Sequence, residues 1–402
     1  MRIVADPLHI AIDGNEANVE SRVGSNVYAF ELLQALEEKT RDNPTIAVTV
    51  LLSSPAKSFL PVERQGWKYQ VVGPQKFWTQ WALPLHLFAK RKQYDIFFTP
   101  GHYAPRIASI PYVSSVMDTA YLDYPEQFTP RDRVQLTDWT EYSVKRAKKI
   151  IVISTYTKQS VLDHYSKSDR DVIIAYPAIK PLTTELSTKE TEQFFARHQI
   201  RQPYILFVGT LQPRKNLVRL ISAYDELRKS LESNPPDSKK RSKERLLTEF
   251  PQLVLAGKQG WMAAPILERI KQSPYKNDII TTGFISDLEK KALYSRANSL
   301  VLIGLHEGFG IPPLEAMQYG TIPIVANTTS LPEVVGTAGM TVDPTDEEAI
   351  RTALLNCLYL TAKERANYLR AGREQIKKFS WSKTADVVLR TLLTIVDQTY
   401  HG

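Results

Sequence analysis

Short apolar runs rich in β-branched residues recur along the chain, and between them lie longer stretches in which apolar residues return every third or fourth position. This alternation predicts parallel βαβ construction rather than a sandwich or a helical bundle. In the first half, strands are expected at His9–Asp13, Thr45–Leu52, Tyr69–Val72, Asp95–Thr99, Tyr112–Val116, Lys149–Ile153 and Asp171–Ala175. The pattern restarts at Tyr204–Gly209 and continues through Leu253–Gly257, Ile279–Gly283, Ser299–Gly304, Thr321–Ala326 and Met340–Asp343. Two doubly wound sheets follow. The boundary falls in Pro177–Thr188, where turn formers interrupt every period. The expected domains are residues 1–180 and 181–379, with 380–402 a helix that packs back on the first.

Two segments depart from the pattern. Ser233–Arg245 is polar, basic and broken by prolines, and reads as a solvated loop. In Phe77–Tyr94, the residues Phe77, Trp78, Trp81, Leu85 and Phe88 approximate one helical face beside Lys90, Arg91 and Lys92. Packing of that face in the core or a cleft is favoured over insertion into a membrane surface.

Composition narrows the class. A chain of 402 residues exceeds what one core usually supports, and 43% apolar with 23% charged residues excludes a fibrous or disordered protein. The formal charge of +8 favours anionic partners: nucleoside diphosphates, anionic lipid surfaces or nucleic acid. The sole cysteine, Cys357, permits no internal disulfide and fits a reducing compartment. Asp6 and Pro7 interrupt the amino-terminal apolar run, so no signal peptide is expected. Runs such as Ile150–Ile153 are far shorter than the roughly 20 residues that span a bilayer. A cytoplasmic protein is expected, at most peripheral at the inner face of the cell membrane.

Open α/β sheets bind ligands beyond the carboxyl ends of their strands, so functional residues should sit on loops that follow strands. Three such loops stand out. In Ser299–Val325 a strand is followed by a loop with Glu307, Gly308 and Gly310, and Pro312 and Pro313 then start a helix that holds Glu315 in its first turn. Glycines let amides approach a ligand, and two carboxylates eight residues apart can grip two separate diols. The plainer reading, an acid complementing the helix dipole, accounts for Glu315 but not for Glu307. In Tyr204–Leu220, Arg214 and Lys215 lie where the next helix begins, a place where cations oppose the dipole unless an anion compensates. A diphosphate would do so. In the first strand and its loop, Gly24 lies at the amino end of a helix starting near Ser25, where phosphate can approach amides and where simple turn chemistry is an equal explanation.

Together these stretches resemble glycosyltransferase family 4, the retaining GT-B enzymes that include many mannosyltransferases of surface polysaccharide assembly. The likeness runs nearly the whole chain in order, through the Gly24 loop, DTAYLDYPEQF, the RKN of Arg214–Asn216, the GFISD of Gly283–Asp287 and HEGFGIPPLEA. The resemblance implies an α/β GT-B fold, two Rossmann-like doubly wound domains facing a central cleft, the first binding acceptor and the second the nucleotide sugar. It implies that Glu307 contacts the transferred sugar, Glu315 the ribose diol, and Arg214 with Lys215 the diphosphate. Gly308, Phe309 and Gly310 would cradle the sugar, Leu314 would line the donor site, and Phe284–Leu288 would neighbour the base. Met117-Asp118 stands where relatives often have His-Asp, so Asp118 could orient a sugar hydroxyl or serve as a cap. His102, after another strand, could line the acceptor side.

The expected function is transfer of a hexosyl unit, mannosyl favoured with GDP-mannose as donor, to a hydroxyl of a glycan or lipid-linked glycan. No metal and no cofactor are expected from the resemblance, and the sequence has no His/Cys ligand cluster; the nucleotide sugar is a co-substrate. Nucleic acid is not an expected partner. The rivals are a carbohydrate-binding subunit of the same fold without turnover, and a glycan phosphorylase, for which no lysine context suggests pyridoxal phosphate. A dinucleotide oxidoreductase lacks its G-x-G-x-x-G.

Overall fold

The structure, a computed structural model, describes residues 7–22, 24–101, 103–233 and 250–401. His102 lies outside the described residues, as does nearly all of the basic Ser233–Arg245 segment. The chain divides into two compact units, Met1–Ala178 with Phe379–Gly402, and Ile179–Lys378.

The first unit carries strands β1 (Leu8–Asp13), β2 (Ile46–Leu52), β3 (Trp67–Val71), β4 (Ile96–Thr99), β5 (Tyr112–Val116), β6 (Lys149–Val152) and β7 (Val172–Ile174). The second carries β8 (Tyr204–Val208), β9 (Gln252–Ala256), β10 (Ile279–Gly283), β11 (Ser299–Leu302), β12 (Ile322–Ala326) and β13 (Met340–Val342). Every expected strand is present, its ends moved by no more than two residues. The sheet orders are β3-β2-β1-β4-β5-β6-β7 and β10-β9-β8-β11-β12-β13, with parallel pairing throughout. In each sheet the winding reverses beside its first strand, between β1 and β4 and between β8 and β11. At such a reversal the loops on either side diverge and leave a crevice at the carboxyl ends.

Central strands are buried on both faces, which is why they read as solid apolar runs: all five residues of β8 and all four of β4 are inaccessible or nearly so. The first unit is completed from the far end of the sequence. Helix Trp381–His401 buries Ala385, Val388, Leu392, Ile395 and Val396, a stripe at helical spacing, and packs on helix Ser25–Thr40. Trp381 meets Tyr28 edge-on at 5.6 Å, Lys39 pairs with Asp386 at 2.9 Å, and Thr384 Oγ1 donates to the Tyr176 carbonyl.

The aromatic segment after β3 departs from expectation. It forms a π-turn, Trp78–Ala82, that runs into an α-helix, Leu83–Ala89, whose first turn accommodates Pro84. Trp78, Ala82, Leu83 and Leu87 enter the core, and Trp78 Nε1 donates to the Val72 carbonyl at 2.9 Å. Phe77, Trp81, Leu85 and Phe88 face outward instead. The wider π-turn shifts the phase between Trp78 and its neighbours. One expected buried face is therefore two faces, and core packing is wrong for those four residues.

Candidate functional site

In the second unit the crevice loops are held by close backbone approaches. Gly209 directly follows β8, and a Cβ at Gly257 would lie 2.0 Å from the Gly209 carbonyl oxygen, so glycine is required there. The two chains then run together, with Leu211 N donating to Lys258 O and Gly260 N to Leu211 O. A 3-10 turn, Pro213–Lys215, follows and is closed by Asn216 in the left-handed region at φ 59°. Asn tolerates that conformation, and here its Nδ2 also reaches the carbonyls of Ile303 and Pro344 at 3.2 and 2.6 Å. Arg214 and Lys215 thus sit on the turn just before helix Leu217–Ser233 rather than inside it.

The loop after β11 is tied to this turn. Leu305 N donates to Arg214 O at 2.9 Å, and a Cβ on Gly304 would meet Glu307 Oε1 at 2.9 Å and Arg214 O at 3.2 Å. The buried Ser330 hydroxyl lies 2.8 Å from Glu307 O and 2.7 Å from Phe309 O. Gly310, at φ 106°, turns the chain into helix Ile311–Gln318.

These constraints place opposite charges together. Lys215 Nζ lies 2.5 Å from Glu307 Oε1, with the two side chains only 12% and 9% exposed. Arg214 Nε donates to Gln212 Oε1 at 3.1 Å. Glu315 accepts from Lys290 Nζ at 2.7 Å on one oxygen and from Tyr294 OH at 2.9 Å on the other. Burial and the Glu315 charge push the Tyr294 phenol well above its ordinary pKa. Burial would lower Lys290, but the carboxylates of Glu315 and Asp287 outweigh it and hold that ammonium above its usual value.

Glu315 does not lie in the first helical turn. The helix begins at Ile311, so Glu315 is its fifth residue and points to helix Asp287–Arg296, with no acid in the first turn. Compensation of the dipole is therefore not its role. Phe309 and Leu314 are buried at 4% and 0% exposure, whereas Phe284, after Gly283, is exposed with Lys258 Nζ 4.7 Å from its ring centre.

In the first unit Gly24 is exposed at φ 53° and heads helix Ser25–Thr40. Asp118 follows β5, one strand beyond the reversal, and accepts from Ala120 N at 3.3 Å. The sequence reading missed the residues at the reversal itself. Asp13 Oδ1 accepts from the amide and the side chain of Asn15 at 3.0 and 2.9 Å, and Asn15 Oδ1 accepts from Ser53 N at 2.8 Å. Glu16 Oε2 accepts from Asn26 Nδ2 at 2.5 Å and Ser25 Oγ at 3.2 Å. Burial raises the Asp13 carboxyl to about 7, against hydrogen bonds from Asn15 and with help from the Glu16 charge. An Asp-Gly-Asn run at the carboxyl end of the first strand was the available signal. Lys290 and Tyr294 were also missed, because a four-residue spacing on a helix reads as any exposed helical face.

The profile of the family described as Glycosyl transferases group 1 matches residues 188–375. The chain is 30% identical over 324 residues to the O-antigen chain mannosyltransferase B of Escherichia coli, covering 78% of this chain and 76% of that one. It is 31% identical over 252 residues to the serotype-specific mannosyltransferase WbdA of Escherichia coli, covering 61% of this chain but 28% of that longer one. Among solved structures it resembles Anabaena Alr3699/HepE in complex with UDP and glucose, with TM-score 0.69, 16% identity, and 96% and 100% of the two chains covered. That likeness is one of fold, the pair of Rossmann-like domains called GT-B.

Proposed function

Since the chain belongs to the group 1 glycosyltransferases, the family 4 likeness drawn from its motifs, we propose that it transfers a hexosyl unit, with mannosyl favoured, from a nucleoside diphosphate sugar to a hydroxyl of a glycan or lipid-linked glycan in surface polysaccharide assembly, and does so with retention and without a metal. The observation that carries this reading is the Lys215–Glu307 pair at the reversal of the second sheet. A lysine ammonium has three protons to donate, so Lys215 can keep Glu307 and still take a phosphate oxygen. Arg214, on the same turn, adds a planar fork for the diphosphate. Charge that grows on the leaving phosphate then meets fixed cations. Glu307 turns to a hydroxyl of the transferred sugar, with the amides of Gly308, Phe309 and Gly310 beside it. Glu315 has lone pairs left for the ribose diol, with Lys290 and Tyr294 orienting it. Phe284 stacks near the base, Gly24 admits phosphate, and Asp118 orients a hydroxyl.

The mannosyl preference is supported by the likeness to mannosyltransferases, and a lipid-linked acceptor would place the protein at the inner face of a cell membrane. Nucleotide sugars should be screened by thermal shift and donor hydrolysis in excess chelator, because a ligand that binds only the native state raises apparent stability. GDP-mannose is expected to give the largest shift and hydrolysis that survives the chelator. Abolition by chelator with rescue by magnesium or manganese would overturn the assignment of Arg214 and Lys215 as the charge-neutralising groups.

A further inference from the structure

Large apolar side chains are rarely left in water as a group. Phe77, Trp81, Leu85 and Phe88 are 57%, 65%, 64% and 58% exposed, and their spacing of four, four and three residues puts them on one side of the Trp78–Ala89 helical segment. The segment is not loose. Its opposite side is anchored by Trp78, Ala82, Leu83 and Leu87, so the exposed stripe is presented by a fixed element. Its ends are basic: Lys76 Nζ lies 5.3 Å from the Phe77 ring centre, Arg91 lies 4.4 Å from that of Phe88 and also donates to the Phe88 carbonyl, and Lys90 and Lys92 flank it. No aspartate or glutamate occurs between Glu63 and Asp95, a stretch that holds Arg64, Lys68, Lys76, Lys90, Arg91 and Lys92.

We propose that this face docks on an anionic lipid bilayer, lying in the interface with the four apolar side chains among the acyl chains and the lysines and arginine at the headgroups. Two physical terms act together. Apolar burial draws Phe77, Trp81, Leu85 and Phe88 out of water, and the negative surface potential draws the cations. A second copy of the chain fits less well, because a two-fold contact would bring Lys76, Lys90, Arg91 and Lys92 against themselves with no acid on the segment to answer them. Among the described residues no helix is long and apolar enough to cross a membrane, so the contact is superficial. The lipid partner deepens the reading of a lipid-linked acceptor and rests on it for its purpose, but the surface itself stands on exposure and charge.

The test uses the full chain with vesicles of phosphatidylcholine and phosphatidylglycerol in equal parts, against phosphatidylcholine alone. The protein should sediment with the anionic vesicles, with a blue shift of tryptophan emission, and should leave them as salt is raised. Trp81→Ser with Phe88→Ser, and separately Lys90→Glu with Lys92→Glu, should each weaken vesicle binding by about tenfold or more while circular dichroism and donor hydrolysis stay those of the parent. Failure of the parent to bind, binding by both variants equal to the parent, or a dimer in light scattering that the Trp81→Ser, Phe88→Ser variant abolishes would overturn the proposal. Vesicle binding without donor hydrolysis would defeat the transferase reading and leave this one standing; hydrolysis without vesicle binding would do the reverse.

Discussion

The two sheets reverse in the same way, yet their crevice loops hold carboxylates by different means. In the second unit Glu307 and Glu315 rest against cations, Lys215 and Lys290. In the first unit Asp13 and Glu16 rest against neutral donors, the amide and side chain of Asn15 and the side chains of Asn26 and Ser25. Burial pushes the Asp13 carboxyl up to about 7 although the Asn15 donors oppose it, and the Glu16 charge adds to the rise. One crevice is thus prepared for exchange of ionic partners and the other for a group that gains or loses a proton near neutrality.

The largest effect should come from breaking the ionic crevice. Lys215→Ala removes the phosphate contact and leaves Glu307 without its cation, so turnover should fall on the order of 10²–10³-fold, as for other fixed donors to a developing anion. The melting temperature should fall too. Adding Glu307→Gln should restore stability but not turnover. If the double variant melts as low as the single one, the pair is not the electrostatic unit described.

A smaller effect separates the two glutamates. Glu315→Ala should weaken free nucleoside diphosphate by roughly tenfold or more, the range of a hydrogen bond to a charged group, whereas Glu307→Gln should keep nucleotide affinity and lower the turnover number. Calorimetric titration beside steady-state kinetics measures both. The reverse pattern would mean that their roles are exchanged.

The neutral crevice is probed by pH. The folded Asp13 pKa lies above its unfolded value of 3.8, so the native state holds the proton more tightly. Stability from this group is fully present below the unfolded value and is lost as pH rises towards 7, at up to about 1.4 kcal/mol per pH unit. Asp13→Asn should flatten that slope in denaturant titrations between pH 4 and 7. A slope unchanged by the substitution would remove Asp13 as its source. The smallest effect is expected for Tyr294→Phe, which deletes one hydrogen bond to Glu315 and should cost nucleotide binding about 1 kcal/mol in titration; loss as large as that of Glu315→Ala would make Tyr294 a direct ligand.

The central strands were legible because they are solid apolar runs, and the ionic loops because glycines, prolines and charges cluster just after β8 and β11. What the sequence hid is what depends on a second element. Lys290 and Tyr294 gain meaning only when helix Asp287–Arg296 lies against Glu315. The side of Trp81 and Phe88 was misjudged because a π-turn cannot be read from apolar spacing, and it alone decides which aromatic goes inward. Asp13 was passed over because its chemistry comes from burial rather than from a motif.

Helix Trp381–His401 has a consequence for synthesis. Its buried stripe belongs to the first unit, while the second unit is one uninterrupted stretch, Ile179–Lys378. As the chain leaves the ribosome, everything the second unit needs is present before that helix emerges, whereas the first unit, although begun earlier, still exposes the face of helix Ser25–Thr40 that the helix will cover. The usual order in which amino-terminal domains finish first is thereby inverted: the second unit can mature while the amino-terminal unit waits, its last surface open to chaperones until translation delivers the segment that seals it.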